Sequence, residues 1–139
     1  MVKTLTLFAD ENSLRIDIAE NGWAKLTLVG DKEAYLGADA IEVVALRLMN
    51  YLKNGDVLGR ASAGEMNGLP VTCLLLLSEA HHALYVASSG SDRLLFWQDA
   101  RTAPVSLAGI MRLTPPQGRH WVQALDEALR SELTPALAY

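Results

Sequence analysis

The sequence predicts an α+β fold, mostly antiparallel sheet with two amphipathic helices, arranged as two successive β-meander–helix halves. Three observations carry that reading. Apolar and polar residues alternate with period 2 through residues 14–18 and 24–28. Apolar residues recur at helical spacing in 41–52 and again in 121–133. Shorter apolar runs separated by turn residues lie between the two helices. A length of 139 residues fits a single domain, 1–139, with pseudo-repeat halves at about 1–55 and 69–133 and a joint at 56–68.

The first strand falls within Met1–Ala9. Its apolar stretch is broken by Thr4 and Thr6 and meets Asp10-Glu11 at once, whereas a secretory leader needs about 7–15 apolar residues in its core. Leu14, Ile16 and Ile18 then alternate with Arg15 and Asp17, and Ala24, Leu26 and Leu28 with Lys25 and Thr27. Glu20-Asn21-Gly22 lies between them as a hairpin signal. A two-residue Asn-Gly loop would set Ile16 against Thr27 and mix the faces. A three-residue loop with Gly22 left-handed shifts the register by one. Ile18 then faces Ala24, Ile16 faces Leu26, Leu14 faces Leu28, and Asp17 lies opposite Lys25 as an expected ion pair.

Asp39 and Glu42 form an Asx-type capping box. Ile41, Val44, Ala45, Leu48, Met49 and Leu52 make the apolar stripe of the first helix, and Asn54-Gly55 stops it. Val43 and Leu46 widen the stripe and predict a well-covered helix. The joint is expected to hold a short strand at Val57-Leu58.

Val71–Leu77 is a strand without alternation. Leu84–Val86 and Leu94–Trp97 form a hairpin across residues 88–92, and 105–107 and 110–113 are weaker strand candidates. Thr114-Pro115-Pro116-Gln117 is a capping box with proline at the first helical position. Val122, Leu125, Leu129 and Leu133 form the stripe of the second helix, with Trp121, Ala124 and Ala128 beside it.

The second half has apolar residues for both sheet faces. Val71, Cys73, Leu75 and Leu77 point one way, Leu74 and Leu76 the other. In the hairpin, Leu84, Val86, Leu94 and Phe96 are expected to share a face, leaving Tyr85, Leu95 and Trp97 opposite. Strands apolar on both faces must be covered on both. The cover comes either from the two half-sheets packing together or from a second copy of the chain, which makes a homodimer an expected state.

Composition narrows the function classes. Net charge is −4, without the basic excess that phosphate-backbone binding exploits, so nucleic acid is an unfavoured partner. The lone Cys73 makes no internal disulfide, and sits in a leucine run where burial renders a thiol inert. The longest apolar run, Cys73–Leu77, is far below the roughly 20 residues that span a bilayer, and a cytoplasmic location is the expectation. His81 and His82 are adjacent and point to opposite strand faces, with no further ligands at tetrahedral spacing. Ser88–Ser91 and Gly59–Gly68 lack the spacing of a phosphate cradle. No catalytic residue, metal site or cofactor is assigned, and the sequence leans against an enzyme without deciding it.

Two candidate surfaces stand out. Arg112, Arg119, His120 and Trp121 cluster around the start of the last helix, where free N–H groups and the helix dipole favour an anion; Arg93 and Arg101 are expected to extend the patch. Trp23, Tyr85, Leu95 and Trp97 are candidates for a sheet-face interface. The leading expectation is a non-enzymatic protein-interaction or oligomerisation module, such as a small acidic chaperone or an inhibitor of a basic partner. The alternatives are a single-stranded nucleic-acid binder using sheet aromatics and arginines, and a small-ligand-binding protein or enzyme with a sheet–helix pocket. The layout is similar to the duplicated sheet-plus-helix plan of single-stranded-nucleic-acid-binding folds such as the Whirly proteins. It matches no motif of that family and brings no residues with it.

Overall fold

A computed structural model describes residues 3–55, 57, 64–66, 68–99 and 111–137. Strands Lys3–Ala9 (β1), Asn12–Ile18 (β2), Trp23–Val29 (β3) and Glu33–Ala40 (β4) form an antiparallel meander, followed by helix Ile41–Asn54 (α1). Strands Gly64–Met66 (β5), Leu69–Leu76 (β6), His82–Ser89 (β7), Asp92–Asp99 (β8) and Met111–Leu113 (β9) form a second meander, followed by helix Pro115–Leu137 (α2). The α+β class and the two meander–helix halves are as the sequence predicts.

The first hairpin has the expected register: Leu14 pairs with Leu28, Ile16 with Leu26, Asp17 with Lys25 and Ile18 with Ala24. Gly22 has φ +82°, the left-handed position of the three-residue loop. The cross-strand ion pair does not form. Asp17 instead accepts from Thr4 Oγ1 at 2.8 Å and from Arg15 Nε at 3.4 Å, and Arg15 also meets Glu33 at 3.0 Å.

Helix α1 begins one residue later than a cap at Asp39 requires. Its N-cap is Ala40, with no side-chain bond. The Asp39 carboxylate accepts from the N–H of Ala40 at 2.7 Å, while the N–H of Ile41 donates to the carbonyl of Gly22 at 2.8 Å. The hairpin turn thus does the work assigned to a capping box. The predicted stop holds, because Gly55 is left-handed and its N–H donates to the Tyr51 carbonyl at 2.7 Å. The predicted stripe is buried, joined by Tyr51, but Leu46 remains 54% exposed rather than covered.

In β6 the pairing with β7 skips a residue, Cys73 facing Tyr85 and Leu75 facing Leu84. This bulge lets the adjacent Leu74 and Leu75 both enter the core. Strict alternation would have placed them on opposite faces. The β7–β8 loop is also tighter than predicted, with Ser89 paired to Asp92 around Gly90-Ser91. That moves the register by one and reassigns every side chain. Leu84 now faces Trp97 and Val86 faces Leu95, while Tyr85 faces Phe96 and Ala87 faces Leu94. The expected grouping of Leu95 and Trp97 with Tyr85 on one outer face is therefore corrected. Of the joint strand, Val57 is not in a strand and Leu58 lies outside the described residues, as do 105–107.

Both sheets and both helices contribute to one contiguous core, represented by Leu26, Leu48, Leu75, Leu84, Leu95 and Leu125. A smaller cluster of Val71, Ala87, Leu94 and Phe96, flanked by Leu69 and Tyr85, occupies the other face of the second sheet. Phe96 is only 1% exposed within the single chain. The apolar residues of both faces of this sheet are thus largely covered within one chain, Leu76 at 65% exposure excepted. The halves are joined where Ala38 and Ser78 exchange backbone hydrogen bonds at 3.2 and 3.1 Å. Among the described residues no helix is long and apolar enough to cross a membrane.

Candidate anion-binding groove

The end of α1 approaches the start of α2, and the β7–β8 turn fills the corner between them. Three local features fix this junction. Ser88 Oγ donates to the Gly55 carbonyl at 2.7 Å, satisfying an acceptor at the α1 C-terminus. The buried Tyr51 hydroxyl donates to the Ala87 carbonyl, tying α1 to β7. Burial pushes the Tyr51 phenol up, and the nearby positive charge of Arg93 partly opposes that. The third feature is Arg93 itself, whose guanidinium lies over Gly55. A Cβ added at Gly55 would lie 2.9 Å from Arg93 Cζ and push the guanidinium aside, and φ +79° itself favours glycine.

A groove of about 740 Å³ opens at this junction. Among the described residues its cations are Lys53 from α1, Arg93 from β8, and Arg119 and Arg130 from α2, and its carboxylate is Asp126. Asp126 holds Arg130 at 3.1 Å. No described residue forms an ion pair with Lys53, Arg93 or Arg119. Arg93 Nε is enclosed and has no hydrogen-bond partner. A partly buried cation without a counter-ion is destabilising, and the negative end of the α1 dipole offsets only part of that. An anion entering the groove would meet the Arg93 side chain where it lines the wall, and arginine binds carboxylate or phosphate in bidentate fashion.

The backbone contributes less here than the helix start suggests. Pro115 and Pro116 carry no N–H, and the N–H of Gly118 donates to the Thr114 carbonyl at 2.8 Å. Gln117 closes the cap from the other side, its Oε1 accepting from the Thr114 N–H at 2.9 Å. Anion binding at this end rests on side chains rather than on free amides.

The predicted anion cluster is divided by the fold. Arg119 lines the groove with Arg93. Arg112 is exposed on β9 and pairs with Asp92 at 2.7 Å. His120 and Trp121 lie on the other side of α2, in a second groove of about 380 Å³ against β1 and the exposed Phe8. There the Trp121 indole donates to the Phe8 carbonyl at 2.8 Å, and its ring is buried. Arg101 lies outside the described residues. Lys53 and Arg130 did not figure in the sequence reading. Their signal was the polar stripe 119, 123, 126 and 130 on one face of the second helix, and a lysine in the last turn of the first.

The predicted sheet-face set is scattered as well. Leu95 is 2% exposed in the main core, and Trp97 is half-buried against it. Tyr85 stacks on Phe96 with ring centroids 5.9 Å apart. Trp23 Nε1 donates to Glu79 at 3.2 Å, and the Tyr35 hydroxyl donates to the same carboxylate. These two bonds, with Lys25 adding to them, hold the Glu79 carboxyl below its usual range. Cys73 is half-buried. Among the described residues no group of metal-binding side chains is assembled.

Fold and groove together define an α+β protein with a cation-lined cleft at the junction of its helices. No known protein family and no curated protein matches the chain.

Proposed function

We propose that this protein is a non-enzymatic interaction module that binds an anionic group of its partner in the groove between α1 and α2. The observation that carries the proposal is Arg93. It lines the groove without a counter-ion among the described residues, as do Lys53 and Arg119. Three such cations converging on a chain of net charge −4 are a local exception to the molecule's charge. Electrostatic complementarity of that kind gives specificity and steers encounter.

The second reading, single-stranded nucleic-acid binding, relied on exposed aromatics next to arginines. Trp23 is held at Glu79 and Trp97 packs on the core, and neither lines the groove. Among the described residues no ring lines the groove beside the cations, so the stacking platform that bases need is not formed by them.

The test is a titration of the full chain with a labelled glutamate-rich peptide, followed by fluorescence anisotropy at low and moderate salt. Binding should weaken as salt rises, and Arg119→Glu should reduce affinity by about tenfold by turning one attractive rim contact repulsive. Binding that is unchanged in Arg119→Glu, or no binding at low salt, refutes the proposal.

A further inference from the structure

We infer that the bound anion is not a small ion but a short acidic segment of another protein, laid along α2 with acidic residues at both ends and an apolar residue between. The inference rests on the groove being the binding site. Arg119, Gln123, Asp126 and Arg130 all line it and recur at i, i+4, i+7 and i+11, a single stripe along one face of α2. Eleven residues of helix rise about 16 Å, so the two arginines stem from opposite ends of the stripe. An extended peptide advances roughly 3.3 Å per residue, and about five residues bridge that distance.

Between the two arginines along α2 lie Val122 and Asp126, and Leu52 of α1 adds a second apolar side chain to the lining. A ligand with a central acid would meet Asp126, whereas one with a central leucine or valine meets Leu52 and Val122. At the far end a ligand carboxylate must compete with Asp126 for Arg130, because those two are already paired at 3.1 Å. That competition gives the inference a signature a simple anion site would not have. Removing the Asp126 charge should favour a ligand that reaches Arg130 and leave one bound only at Arg93 and Arg119 almost unchanged. The two ends are separated by more than the screening length of about 8 Å at physiological salt.

The experiment compares three probes on the full chain at physiological salt: a Glu-Glu-Ser-Leu-Ser-Glu-Glu peptide, the Glu-Glu dipeptide, and inorganic phosphate. The long peptide should bind at least about tenfold tighter than either small probe. Arg130→Gln should weaken it about fivefold and Asp126→Asn should strengthen it by a similar factor, the range of exposed ion pairs. Arg130→Lys should restore most of the loss, and circular dichroism should show all variants folded. If the small probes bind in an Arg119-dependent way but the long peptide is no tighter, or ignores Arg130, the segment is refuted while the anion site stands. If no probe binds, both fall. Tighter binding of an oligothymidylate than of the peptide would also overturn the inference.

Discussion

Replacing Gly37 with alanine tests how the two halves are joined. Gly37 has φ +132°, and a Cβ there would lie 2.4 Å from the Ser78 carbonyl oxygen and 2.7 Å from Leu77 Cβ. Neither neighbour moves easily. Ser78 exchanges backbone hydrogen bonds with Ala38, and Leu77 is only 4% exposed in the core. Backbone strain at such a φ costs about 1–3 kcal/mol. Forcing a methyl group into packed surroundings adds about 1–3 kcal/mol. The sum, about 2–6 kcal/mol, is a large part of the roughly 5–15 kcal/mol that holds a domain folded. Gly90→Ala is the control, with φ +61° and nothing within 4 Å of the added carbon; it should cost only about 1–2 kcal/mol. Urea unfolding followed by tryptophan fluorescence and far-ultraviolet circular dichroism measures both. Gly37→Ala must be the more destabilising by at least about 1 kcal/mol, the lower bound of the packing contribution. Equal losses would mean that the contact between β4 and the β6–β7 turn is not a close-packed junction.

Three further outcomes are expected. Leu95→Ala should cost about 2–5 kcal/mol in urea unfolding, and Leu76→Ala, at 65% exposure, less than about 0.5 kcal/mol; the reverse order would reinstate the outward-facing register of β8. Tyr35 is pushed up to about 12, first by burial and then by its bond to Glu79. Its stabilising effect is therefore complete below its ordinary value near 10 and is lost as pH rises through 12. Thermal melts from pH 9 to 12 should show a shallower alkaline decline in Tyr35→Phe, and an unaltered slope would contradict the assignment. Gln117→Ala removes the acceptor of the Thr114 N–H and should destabilise the start of α2 by about 1 kcal/mol, read as a lower melting temperature.

How much of this was legible in the sequence depended on whether a local rule decided the outcome. The β2–β3 register followed from alternation on both strands together with one glycine able to go left-handed, so Asp17 was correctly set opposite Lys25. Its ion pair was not legible, because Thr4 and Arg15 reach the carboxylate from across and along the sheet. In the second half neither β6 nor β7 alternates cleanly, so a one-residue choice of turn settled the faces. The tighter Gly90-Ser91 turn and the bulge at Leu74 turned Leu95 and Trp97 inward. The same shift sends Leu94 and Phe96 to the other face, where they cluster with Val71 and Ala87. The helix stop at Gly55 was visible, yet its role in seating Arg93 was not, since the two residues are brought together only by the β7–β8 turn. At the start of α2 the predicted anion cluster drew on residues from both sides of the helix; the fold sends Arg119 into the groove and His120 and Trp121 toward β1.

The central claim is that the cations at the α1–α2 junction receive a ligand. Its most direct measurement is side-chain-resolved NMR of the arginine Nε–Hε groups during titration with the acidic peptide. The signals of Arg93 and Arg119, which both line the groove, should shift furthest, while Arg112, already paired with Asp92, stays still. A response led by Arg112, or one in which Arg93 does not move, would contradict the account.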